Sequence, residues 1–140
     1  MLFVSLYLTK QNNFMTTKQL LEMGERPFVP QETLQQIAHY GKFGFIMWNI
    51  NKGIFCIPDF DDDEEQIDGY CRGIVLKINH PNYSDMVLIT LSYDDTYRIR
   101  FMDRECNVTD DVEGIYFDML FESINDRIVN KKVKFDFNLN

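Results

Sequence analysis

The chain has 140 residues, a net charge of −8 and an isoelectric point near 4.6, with 45% hydrophobic and 14% aromatic residues. That length suits one domain, 1–140, and that aromatic content excludes a chain disordered over most of its length. The acidity disfavours direct nucleic-acid binding through a basic face, because like charge repels the phosphate backbone, and favours a basic protein partner.

The opening run Leu2–Leu8 is too short to span a bilayer, and it lacks the basic n-region and small-residue cleavage site of a signal peptide. Two readings of residues 1–14 stand: an extension upstream of a second start at Met15, or a short edge strand of alternating strand formers. As an edge strand it offers a route to a homodimer. Three cysteines, Cys56, Cys71 and Cys106, are widely spaced and odd in number, which points to a reducing, cytoplasmic location; Cys56 and Cys71 fall in strand runs and read as small core residues. With only His39 and His80 beside them, a structural zinc site is not expected, and neither is any cofactor.

Thr16 or Thr17 caps a first helix through Met23, stopped by Gly24. Pro30-Gln31-Glu32 opens a second, with Leu34, Ile37 and Ala38 on one face and Gly41 at its end. GFIMWNINKGIFCIP reads as a hairpin turning at Asn51-Lys52-Gly53, apolar on both faces and so central. Further strands follow at Arg72–Asn79, Met86–Tyr93 and Tyr97–Asp103. A three-residue loop Asp94-Asp95-Thr96 sets Leu91 on Ile99, Ile89 on Phe101 and Ser92 on Arg98, which keeps one face apolar. Asp110 and Glu113 resemble a capping box ahead of an amphipathic helix, with Phe117, Leu120, Phe121, Ile124 and Ile128 as its apolar stripe. Alternation of Val133, Phe135, Phe137 and Leu139 predicts a last strand. The fold class is α+β: a mainly antiparallel meandering sheet of five to seven strands, N-terminal helices, and one amphipathic helix near the C-terminus.

Charge is segregated along the chain. Residues 59–126 carry eighteen acidic and five basic side chains, flanked by mildly basic ends. The acids concentrate in PDFDDDEEQIDGY, Pro58–Tyr70. An EF-hand fails there, because position 6 is Glu64 where glycine is needed and position 12 is Tyr70 where a bidentate glutamate is needed. Asp103–Gly114 fails the same test at Val108 and Gly114. A PD-x(n)-(D/E)xK nuclease pattern ending at Lys77 lacks its second carboxylate, because position 75 is valine. No P-loop, glycine-rich dinucleotide loop or local nucleophile–base pair is present, so no catalytic residue is assigned and no metal ligand either.

The acidic run reads either as a solvated loop or as one edge of a docking surface, and the second reading makes the chain a small acidic binding or inhibitory protein of phage or mobile-element type. It docks on a basic protein surface, such as the groove of a nucleic-acid-binding enzyme, through Asp59, Asp61, Asp62, Asp63, Glu64, Glu65, Asp68, Asp94 and Asp95. Its alternative is a carboxylate-based, divalent-metal-dependent enzyme or metal-binding domain. Arg98, Arg100 and Arg104 form a basic stripe that either binds an anion or neutralises neighbouring acids.

Overall fold

Strands follow one another as neighbours along the chain, and the sheet they form keeps that order. The computed structural model describes the backbone of residues 14–50 and 53–139. It contains helix α1 (Phe14–Glu22), α2 (Pro30–Tyr40), a helical turn α3 (Gly44–Met47), strands β1 (Ile54–Phe60), β2 (Gln66–Lys77), β3 (Met86–Leu91), β4 (Tyr97–Met102) and β5 (Val108–Ile115), a 3-10 turn (Phe117–Met119) and helix α4 (Leu120–Leu139). The five strands pair antiparallel in the order β1-β2-β3-β4-β5. The expected α+β meander with flanking helices is therefore present. The segment Leu2–Leu8, and with it the edge-strand reading, lies outside the described residues.

Alternation gives the sheet two apolar faces. Cys56, Ile74, Leu76, Val87, Ile89, Ile99 and Phe101 face α2 and α4, which contribute Ile37 and Leu120, Ile124, Ile128. Phe55, Ile57, Val75, Leu88 and Met102 face the other way and receive Leu20 and Met23. The chain changes faces between α1 and α2. Beyond the Ile74↔Ile89 pair, β2 and β3 no longer pair, and Arg26 bridges Leu91 while Phe28 bridges Cys71 there. Helix α2 is fixed to the sheet through Tyr97: its Oη lies 2.7 Å from the buried Thr33 Oγ1 and donates to Gln36 Oε1 at 2.9 Å.

Several elements differ from the sequence reading. Residues 44–47 are helical rather than the first arm of a hairpin, and β1 is an edge strand covered on both faces. The residue that decides this is Trp48. It is fully buried, stacked on Phe121 at 5.4 Å, edge-on to Phe45 at 6.0 Å, and its Nε1 donates to Asn125 Oδ1 at 2.9 Å. The Phe121 ring lies where a Cβ on Gly41 or Gly44 would sit, so both glycines are required for space. Residues 108–115, expected to cap the helix, form β5 against β4. Helix α4 starts at Leu120, leaving Phe117 exposed, and its backbone stays helical through Val133–Leu139 where a strand was expected.

Candidate functional site

Three connections of the sheet close on one plan. In the β1–β2 turn Asp61 N donates to Glu65 O at 2.8 Å and Glu64 N to Asp61 O at 3.0 Å. In the β3–β4 turn Ser92 N donates to Thr96 O at 2.8 Å and Asp95 N to Ser92 O at 3.1 Å. In the β4–β5 turn Asp103 N donates to Asn107 O at 3.0 Å and Cys106 N to Asp103 O at 3.1 Å. The fourth residue of each is left-handed: Glu64, Asp95 and Cys106 have φ of 62°, 66° and 67°. These are three-residue hairpin loops with a left-handed closing position, filled here without glycine.

Aspartate at the first position serves the turn. Asp61 Oδ1 accepts from Asp63 N and Glu65 N, both at 2.9 Å. Asp103 Oδ1 accepts from Glu105 N and Asn107 N, both at 2.9 Å. A short carboxylate reaching its own downstream amides is a common turn device. Of the acids that invited comparison with a calcium loop, Asp61 and Asp103 are thus committed to backbone amides of their own turns. Among the described residues no group of three or more His, Cys, Asp or Glu side chains is arranged to hold a metal ion.

The nine expected docking acids separate into two groups. Asp59 is a correction: it is 4% exposed and accepts from Arg72 Nε at 2.7 Å, so it belongs to the core side of β1 and offers nothing to a partner. Asp61 is committed to its turn. Asp95 pairs with Arg26, and Asp94 accepts from Thr96 N and Oγ1. Asp62, Asp63, Glu64, Glu65 and Asp68 are exposed, and none forms an ion pair with a described residue. The antiparallel order puts the β1–β2 and β3–β4 turns at the same end of the sheet. Exposed aromatics flank the acids there: Phe60, Tyr70 and, in the β3–β4 turn, Tyr93, which is 82% exposed. The acidic count hid these rings, although their interleaving with the acids is visible in the sequence.

The basic stripe does not stay together. Arg98 makes a two-pronged contact with Asp111, at 2.9 and 2.6 Å, and reaches Glu25 and Glu113 at 3.4 and 3.6 Å. Arg100 donates to Glu25 Oε1 at 2.9 Å, as does Thr90 Oγ1. Internal acids therefore claim both guanidiniums, and the acids are Glu25, Asp111 and Glu113. Arg104 lies at the opposite end of the sheet, in the β4–β5 turn. All three cysteines are buried and unbridged. Cys56 and Cys71 share a hydrogen bond, and burial pushes the Cys106 thiol up to about 11.

Three carboxylates are held below the ordinary value of 3.8: Asp103 by the Asn107 amide, Asp111 by Arg98 and Asp94 by the Thr96 hydroxyl. A depressed folded-state pKa contributes stability that is present above the unfolded value and lost as pH falls through the folded one. The urea midpoint is therefore expected to drop as pH is lowered below about 4. Asp111→Asn should flatten this acid limb, and an acid limb identical to wild type would rule out the assignment to Asp111.

Comparison with protein-family models, with curated proteins and with solved structures finds no match to this chain. No helix among the described residues is long and apolar enough to cross a membrane.

Proposed function

We propose that this protein is an acidic docking module that masks a basic surface of a protein partner, with the β1–β2 hairpin tip as its contact. The supporting observation is the contrast between paired and unpaired acids. Glu25, Asp59, Asp95 and Asp111 are each met by an arginine of the chain, whereas Asp62, Asp63, Glu64, Glu65 and Asp68 project together with no such partner. A compact set of unneutralised charge steers association with the opposite sign and sets its salt dependence. Phe60, Tyr70 and Tyr93 supply what charge alone lacks, since protein interfaces are anchored by aromatics that lysine and arginine stack upon. The partner class that fits is a protein with a lysine- or arginine-lined groove, and a nucleic-acid-binding enzyme is the commonest owner of one. Occupying that groove is inhibition by exclusion.

Charge reversal at Asp62, Asp63, Glu65 and Asp68 tests this reading, with Asp61 left intact because it holds the turn. The wild-type chain is expected to retain a basic nucleic-acid-binding protein at about 0.1 M salt and release it at about 1 M, as the Debye length shrinks from ~10 Å to ~3 Å. The reversed chain should lose that binding while keeping its fold by circular dichroism. Retention by the folded, charge-reversed chain would reject the proposal.

A further inference from the structure

We infer that the end of the sheet opposite the acidic tip carries a binding site for a small phosphate monoester with an apolar or ring-bearing body. A cleft of about 330 Å³ opens there, where β1 begins, β2 ends and the β4–β5 turn comes across. Arg104 and Lys77 line it, with the side-chain amides of Asn49 and Asn79, over Ile50 and Phe55. No carboxylate among the described residues lines it, in a chain of net charge −8.

Arg104, with Lys77 beside it in the lining, is what sets this place apart. Arg26, Arg72, Arg98, Arg100 and Arg127 each pair with an acid of the chain, whereas neither Arg104 nor Lys77 forms an ion pair with a described residue. Of the two acids that flank Arg104, Asp103 accepts from Glu105 N, Asn107 N and Asn107 Nδ2 within its own turn, and Glu105 forms no ion pair with a described residue. Arg104 Nε donates to Ser84 O at 3.3 Å, which positions the guanidinium and leaves its terminal nitrogens for a ligand. Asn79 Oδ1 accepts from Ser84 Oγ at 3.4 Å, so the donor end of that amide is free to serve an oxygen. A guanidinium fork matched to two oxygens, a lysine point charge and amide donors make up the chemistry of phosphate recognition. Ile50 and Phe55, both 4% exposed, give the cleft an apolar floor, and its volume lies at the lower end of small-ligand sites, larger than an inorganic anion fills. The ligand therefore has an oxyanion head and an apolar body. This site shares no residue with the acidic tip, so it stands or falls separately from the docking reading.

The full chain titrated with phenyl phosphate, at constant ionic strength set by chloride and followed by amide 1H–15N shifts, tests the inference. Saturable binding with Kd of about 1 mM or tighter is expected. Shifts should cluster at Gly53, Lys77, Asn79 and Arg104, inorganic phosphate should bind more weakly by about tenfold, and benzoate more weakly still. Lys77→Met with Arg104→Gln should weaken phenyl phosphate at least ~10-fold, while Lys42→Gln, at a lysine that does not line the cleft, should leave it unchanged. The inference is overturned by absence of saturation up to about 10 mM, by shifts scattered over unrelated basic residues, or by undiminished binding to the double variant. Should that variant fail to fold, the wild-type shift map alone decides between these outcomes.

Discussion

Replacing Trp48 by alanine is expected to destabilise the protein by about 3–5 kcal/mol, the range for removing a large aromatic from a core. Trp48 is fully buried and joins the first third of the chain to the last, through the Phe121 ring, the Phe45 edge and Asn125 Oδ1. Alanine leaves a cavity that Gly41 and Gly44 have no side chains to fill, and it strands a half-buried amide oxygen. Trp48→Phe keeps most of the packing and loses the donor, so a smaller cost of about 1–3 kcal/mol is expected. Urea denaturation followed by far-UV circular dichroism measures both. A loss below about 1 kcal/mol for the alanine variant would show that Trp48 does not join the two ends of the chain as described.

Glu25→Ala is expected to cost about 2–3 kcal/mol. Its carboxylate receives Arg100 and Thr90 at 2.9 Å and Arg98 at 3.4 Å, and the extended segment around it ties α1 to the sheet. The Arg100 side chain is only 11% exposed, and its next acid, Asp111, is 3.9 Å away. Removing Glu25 leaves a nearly buried cation poorly matched, which is the costly half of breaking an internal pair. The figure lies below that for a fully buried pair because Glu25 itself is 25% exposed. Glu25→Ala combined with Arg100→Met should cost less than the sum of the two single changes, as expected for groups that act on each other. Strict additivity in that cycle would mean Glu25 and Arg100 are not coupled.

Much of this fold is legible where one residue pattern dominates. Alternation finds β3 and β4, and the Leu120, Ile124, Ile128 spacing finds α4. Between β3 and β4 the expected loop length is right and its position is off by one. The loop is Tyr93-Asp94-Asp95, so Leu91 pairs with Tyr97 and Thr90 with Arg98. Both registers keep the same residues inward, so alternation cannot separate them. The Asp94–Thr96 hydrogen bonds and the left-handed Asp95 do. Elsewhere a distant partner overrides local preference. GFIMW is built of strand formers, yet it turns helical to bury Trp48 against Phe121. VTDDVEGI reads as a helix start, yet Asp111 becomes a strand residue opposite Arg100, with Arg98 closing on its carboxylate. At the acidic tip the charge is legible from composition alone. The division of its acids into turn anchors, core partners and exposed groups depends on Arg72 and Arg26, whose positions only the folded chain fixes.

The strictly sequential strand order also bears on how the chain finds this structure. Each strand pairs with its nearest neighbours in sequence, across connections of five to eight residues. The entropy of closing such loops is small, so the sheet assembles by a series of local steps. Long-range closure falls on two meetings: that of the Glu25 segment with β3 and β4, across 65 to 75 positions, and that of α2 and the Trp48 turn with α4, bridged by Trp48 and Asn125 across 77 positions. Trp48, the largest fully buried side chain among the described residues, is thus also a latch of the topology, holding the turn after α2 against α4.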